Sequence, residues 1–196
     1  FFLLLIAYSL GQTPGTLDSD FGESGVVFVE FDGFANTANK VLVIEEGKIL
    51  TLGYSGTDNW DKLVNLPRHF SDGFIDNSFG SGGKVSFSVG GSDSQAFDMI
   101  RDADGKLYIT GYCSDGPTQD LVICRLNSVG FIDETFGNDG FVKTDLGHDE
   151  TGTSILFQQD GKILVLGHVM YNNGQSDLIF CRFHANCSLD LIFTNK

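Results

Sequence analysis

Short runs in which every second residue is apolar recur along the chain, broken by clusters of glycine and aspartate. Val27, Val29 and Phe31 form one such set, Val85, Phe87 and Val89 a second, and Val142, Thr144 and Leu146 a third. A period of two is the signature of a half-buried β-strand. Three further apolar runs, residues 63–68, 120–126 and 177–183, each carry an arginine near the end: Arg68, Arg125 and Arg182. Pro67 lies inside the first of these and removes a backbone donor, so that strand is predicted to be locally weaker. Between the remaining runs stands a turn read as Glu46-Gly47-Lys48, Asp104-Gly105-Lys106 and Asp160-Gly161-Lys162. An Asp-Gly pair between apolar runs predicts a two-residue hairpin turn, since glycine supplies the positive φ that a type I′ turn demands.

These runs are copies of one unit. Leu17-Asp18-Ser19-Asp20-Phe21-Gly22 returns as Ile75-Asp76-Asn77-Ser78-Phe79-Gly80 and as Ile132-Asp133-Glu134-Thr135-Phe136-Gly137, and a broken fourth copy starts at Leu189-Asp190. Counted from the Leu or Ile, the spacings are 58, 57 and 57 residues. Four short strands per unit, with no helical period, is the arithmetic of a propeller blade. The expected architecture is therefore all-β: a β-propeller of three four-stranded blades of about 57 residues, a fragment of a larger propeller. The repeats run over about 17–74, 75–131 and 132–188, with a fourth beginning at 189. With the four strands named A to D, the order is D, A-B-C-D, A-B-C-D, A-B-C, so a fourth-strand sequence at 27–31 precedes any first strand. Propellers close with about four to eight blades. Three blades imply further repeats, the joining of two chains, or an open arc with self-association through its open blade edges.

The combination D-G-K-I-L-x-x-G, a strand ending in arginine, then L-D-x-x-F-G-x-x-G closely resembles the delta-60 repeat of bacterial secreted β-propeller proteins, over residues 17 to 193. The resemblance implies a propeller, export, and often cell-surface display through a C-terminal sorting domain, which this sequence does not display. It carries over no shared activity or catalytic residues. Pro67, Glu46 in place of aspartate and Thr194 in place of glycine depart from the pattern.

Phe1 to Leu10 is a continuous apolar run, shorter than the roughly 20 residues of a spanning helix. With Ser9 and Gly11 placed for cleavage before Gln12, it fits the apolar core of a secretory signal, so residues 1–11 are expected to be a truncated signal peptide and 12–196 a secreted or cell-surface product. Insertion of the mature chain in a membrane is not expected. Twelve basic against 26 acidic residues leave a formal charge of −14, a field that repels phosphate backbones and excludes nucleic acid as an expected partner. Cys124 and Cys181 are one repeat apart and thus too distant for the Cα separation of about 4.4 to 6.8 Å that a disulfide needs; buried thiols are expected there, and Cys113 and Cys187 are left open.

Few residues suggest chemistry. Arg68, Arg125 and Arg182 keep step with Asp76, Asp133 and Asp190, which predicts an Arg–Asp pair that pins each turn. Asp102-Ala103-Asp104-Gly105 begins like a calcium loop but lacks the closing glutamate, so it reads as a hairpin turn. His69, His148, His168 and His184 have no metal-ligand spacing, and no catalytic, metal or cofactor site is expected. Specificity should lie where the repeats differ: the B-to-C and D-to-A loops, which antiparallel strands place at one end. Trp60, Tyr171, His148 and Asp149 are the candidate ligand-binding residues there, the aromatics as anchors. The expected function is a non-enzymatic module that binds a protein or polysaccharide. A structural spacer, or part of a propeller-based lyase or glycosidase, are the alternatives.

Overall fold

The computed structural model describes residues 14–32, 35–56, 62–89, 93–114 and 116–191. Three antiparallel meanders follow one another. The first consists of β1 (Ala35–Val43), β2 (Ile49–Gly56), β3 (Lys62–His69) and β4 (Lys84–Phe87), and the second of β5 (Asp93–Arg101), β6 (Leu107–Ser114), β7 (Asp120–Leu126) and β8 (Phe141–Thr144). The third has β9 (Asp149–Phe157), β10 (Ile163–Met170) and β11 (Ser176–Phe183), three strands among the described residues, in keeping with a strand order that ends A-B-C. A single parallel residue pair, Lys62 with Asp93, links the first meander to the second. The chain is all-β.

Side-chain alternation decides how the meanders stack. Leu50, Leu52, Val64 and Leu66 of the first point toward Met99, Leu107, Ile109, Val122 and Cys124 of the second. The intervening residues of the second, Tyr108, Leu121 and Ile123, point the other way and meet Ile155, Ile163, Val165, Cys181 and Phe183 of the third. The middle sheet is thus covered on both faces, which is why β6 reads as an almost unbroken buried run rather than an alternating one. Cys124 and Cys181 carry free thiols inside these two interfaces; burial pushes Cys124 well above the usual thiol range and raises Cys181 as well.

The repeated glycine that ends the B-strand motif has a steric cause. Each A strand bulges opposite it: the register shifts between Ala38 and Lys40 across from Gly53, between Ala96 and Asp98 across from Gly111, and beside Gly152 across from Gly167. A Cβ on any of the three glycines would run into the carbonyl oxygen of Thr37, Gln95 or Thr151 respectively. The bulge and the glycine are therefore one device.

Two expectations need correction. The hairpin turn is longer than two residues: Asp102 N–H donates to the Lys106 carbonyl at 3.0 Å and Gly105 N–H to the Asp102 carbonyl at 3.1 Å, which leaves a three-residue loop with only Gly105 at positive φ. Gln158, Gly161 and Lys162 repeat that pattern. The Asp102 carboxylate accepts from the amides of Asp104 and Lys106, which favours the wider turn. Second, residues 27–31 alternate in exposure as a strand does but join no ladder among the described residues. The weakness at Pro67 is visible: the β2–β3 register runs from Leu50/Arg68 straight to Gly53/Asn65, whereas β6–β7 is continuous.

Candidate functional site

The rim that carries the repeated turns is built from three kinds of charged residue rather than two. Arg68 Nε lies 2.9 Å from Asp76 Oδ2, Arg125 Nε 2.9 Å from Asp133 Oδ2, and Arg182 Nη2 2.9 Å from Asp190 Oδ2, as the spacing predicts. The lysine of each Asp-Gly-Lys turn reaches the same carboxylate: Lys48 to Asp76 at 3.3 Å, Lys106 to Asp133 at 2.8 Å and Lys162 to Asp190 at 3.1 Å. That partner was missed from the sequence, although its threefold recurrence was in view; lysine and aspartate are 27 or 28 residues apart and meet only through the meander. Burial opposes the charge on Asp76, but the Ser78 hydroxyl and amide, Lys48 and Arg68 outweigh it and hold the carboxyl at about 2. Lys106 and the Thr135 hydroxyl draw Asp133 far below the usual range, and Lys162 lowers Asp190. Arg68 and Arg125 also lie over the rings of Phe79 and Phe136, 4.5 and 4.6 Å from the centroids. The charged groups of these three clusters are paired within the fold.

The opposite end bears the variable loops. Trp60 lies outside the described residues. Tyr171 and His148 come from different loops and meet, ring centroids 4.8 Å apart in an edge-on arrangement. Asp149, beside His148, accepts the Gln119 amide at 2.9 Å, and Glu150 N–H donates to the Gln119 carbonyl at 2.8 Å. Loops of the second and third meanders are thereby fastened together. The Tyr171 hydroxyl donates to Asp177 at 3.0 Å, which raises its own pKa, and Nδ1 of His148 is buried without a hydrogen bond among the described residues.

Glu150 holds this arrangement from beneath. It is fully buried, and its two carboxylate oxygens accept the amides of His148 at 3.0 Å and Leu146 at 3.2 Å. Burial pushes its carboxyl up, against the pull of those amides, and the nearby Asp145 and Asp120 add to the rise. One oxygen from each of Asp120, Asp145 and Glu150 falls within 4.8 Å of the others, the arrangement among the described residues that could receive a cation. Because both Glu150 oxygens are occupied by loop amides, its structural work is to tie the loop. Glu150 follows the candidate Asp149 directly, but nothing in the sequence marked it out. The equivalent Ser94, whose hydroxyl accepts the Val89 amide at 3.2 Å, shows the signal: a small or acidic polar residue at the second position of the A strand.

No helix among the described residues is long and apolar enough to cross a membrane. No curated protein matches the chain. Residues 103–136 and 158–193 match a family described as "Domain of unknown function (DUF5122) beta-propeller". Each matched stretch spans a B strand, a C strand and the aspartate turn that follows, so sequence match and observed meanders together support a β-propeller repeat family.

Proposed function

We propose that the chain is part of a secreted or cell-surface β-propeller, made of four-stranded blades of the delta-60 kind, that binds a protein or polysaccharide partner through its variable loops and catalyses no reaction. The observation that carries this reading is the contrast between the two rims. On one, charged groups are consumed three times over by the same Lys–Asp–Arg contacts. On the other, residues that differ from blade to blade meet across loops, with His148 against Tyr171 at the centre and exposed amides at Asn172, Asn173 and Gln175 around them. An aromatic pair with amides about it suits a polar surface that also offers apolar faces, such as a sugar chain or a peptide.

The spacer reading also has a specific support: the Tyr171 hydroxyl and the Asp149 carboxylate are already engaged within the loops. Binding of the chain to immobilised neutral and amino polysaccharides and to unfolded peptide arrays separates the two. Under the binding reading, Tyr171→Ala weakens a detected interaction by at least about tenfold, or 1.4 kcal/mol, and leaves the β-sheet spectrum intact. An interaction that ignores Tyr171→Ala and His148→Ala but is lost when Asn77 or Glu134 is changed puts the site on the opposite rim and overturns the proposal. Absence of any binder across both arrays favours the spacer.

A further inference from the structure

We infer that the junction of the second and third meanders on the variable rim receives ammonium groups carried by the partner, and that the partner is a polysaccharide of amino sugars with free amines. This rests on the loop-binding reading and adds the chemistry of the ligand to it. The junction of the first and second meanders supplies the pattern. There Lys62, at the start of β3, pairs with Asp93, at the start of β5. The Lys62 ammonium lies 3.4 Å from the Asp93 carboxylate and 5.8 Å from the centroid of the Tyr54 ring, and the Tyr112 hydroxyl donates to the same carboxylate at 3.2 Å. A carboxylate and a tyrosine ring thus hold an amine that the chain itself provides.

One repeat later the lysine is replaced while its surroundings return. Gln119 takes the place of Lys62 and Asp149 that of Asp93: the Gln119 amide donates to Asp149 at 2.9 Å, and the Glu150 amide donates to the Gln119 carbonyl at 2.8 Å. A tyrosine bound to a carboxylate reappears from another loop, with the Tyr171 hydroxyl donating to Asp177 at 3.0 Å and its ring against His148. Asp120, Asp145 and Glu150 gather oxygens within 4.8 Å of one another beside them. Besides burial, the charges of Asp145 and Asp120 raise the Glu150 carboxyl, a sign of how negative this junction is. Residues 116–119, 145–148 and 171–175, the loops that meet here, contain no lysine or arginine. Lys143, the basic residue nearest to them in sequence, lines a hollow with Asn138, Asp139 and Phe141 toward the repeated turns. The second junction therefore repeats the setting of the Lys62 ammonium, with more negative charge and a neutral side chain in the lysine's position.

An ammonium can arrive on a lysine side chain or on a sugar ring, and the neighbouring amides favour the sugar. The exposed side chains of Asn172, Asn173 and Gln175 both donate and accept hydrogen bonds, as ring hydroxyls do. A lysine brings donors alone, on an apolar stem, and leaves the amide donors without acceptors. An amino sugar offers amine, hydroxyls and an apolar ring face to the carboxylates, the amides and Tyr171 together.

Titration calorimetry of the full chain with a glucosamine hexamer, the same hexamer with every amine acetylated, and hexalysine tests this in mildly acidic buffer. Asp177→Asn removes a charge and keeps an acceptor for the Tyr171 hydroxyl. Gln119→Lys puts the amine of the first junction into the second and leaves the backbone bonds of residue 119 in place; circular dichroism checks both folds. The expected result is that the glucosamine hexamer binds, that the acetylated hexamer and hexalysine bind at least about tenfold more weakly, and that each substitution weakens the glucosamine hexamer by about tenfold. Equal binding of the two sugar hexamers, both weakened by Tyr171→Ala, overturns the ammonium inference and leaves the loop reading standing. Hexalysine bound as tightly as the glucosamine hexamer overturns the choice of a sugar. A glucosamine hexamer that does not bind at millimolar concentration, or that binds both variants as it binds the wild type, overturns the inference; if Tyr171→Ala also leaves that binding unchanged, the loop reading falls with it.

Discussion

The aspartate turn at the leading end and its copies inside the arc close in the same way but are not buried in the same way. Phe21, Phe79 and Phe136 donate their amides to the carbonyls of Asp18, Asp76 and Asp133 at 3.1, 3.1 and 3.0 Å, and Gly25, Gly83 and Gly140 donate back to the three phenylalanine carbonyls at 2.7 to 2.9 Å. Phe79 and Phe136 are nevertheless completely buried beneath an arginine, while Phe21 is half-buried. The turn is a local product of glycine and aspartate at fixed offsets. Burial is conferred from outside it, by the preceding strand that delivers the arginine and by the blade that follows.

Truncating the same ring in two copies measures that difference. Phe136→Ala should cost about 3–5 kcal/mol in denaturant unfolding, the usual range for a buried phenylalanine, and Phe21→Ala about 1 kcal/mol. Equal costs would mean that the leading turn is as tightly enclosed as the interior one.

Acid sharpens the same contrast through the ion pairs. Asp76 titrates at about 2 when folded, against an ordinary value of 3.8, so its contribution to stability is full above that ordinary value and is lost as the pH falls through the folded one. Asp133 and Asp190 shift in the same direction. Asp76→Asn should cost about 3 kcal/mol at neutral pH, because Arg68 and Lys48 lose a buried counter-charge. The gap from wild type should narrow toward pH 2 in unfolding curves followed across the acid range. A gap that is constant with pH would show that the aspartate acts through shape alone.

The smallest effect belongs to the variable rim. His148→Ala removes one ring of an edge-on pair and should cost about 1 kcal/mol, measured by thermal unfolding. A loss as large as that of Phe136→Ala would move His148 from the loop surface into the core.

Much of the scaffold was open to reading. The C strand expected at residues 120–126 is β7 without change, and the Arg–Asp pairs lie where equal spacing put them. Residues 27–31 were read as a strand because period two reports which side chains are covered; the ladder needs a neighbour that the pattern does not contain. The turn was read one residue short because Asp102 was weighed as a cation ligand and not as the carboxylate that widens the loop. In the variable rim, the meeting of His148 with Tyr171 and the buried role of Glu150 arise between segments that share no repeat position, so no periodicity announces them.

The sequence by itself determined the repeat length, the alternating strands, the glycines and the arginine–aspartate pairs, because each follows from local sterics or from identical units placed in identical surroundings. Only the tertiary structure decided that Lys48, Lys106 and Lys162 join those pairs, that Gly53, Gly111 and Gly167 face bulges, and that Leu178 and Val41 stand open while their counterparts are closed. The physical reason is that a side chain's alternation fixes the face of a strand it occupies, but the partner on that face comes from a segment remote in the sequence.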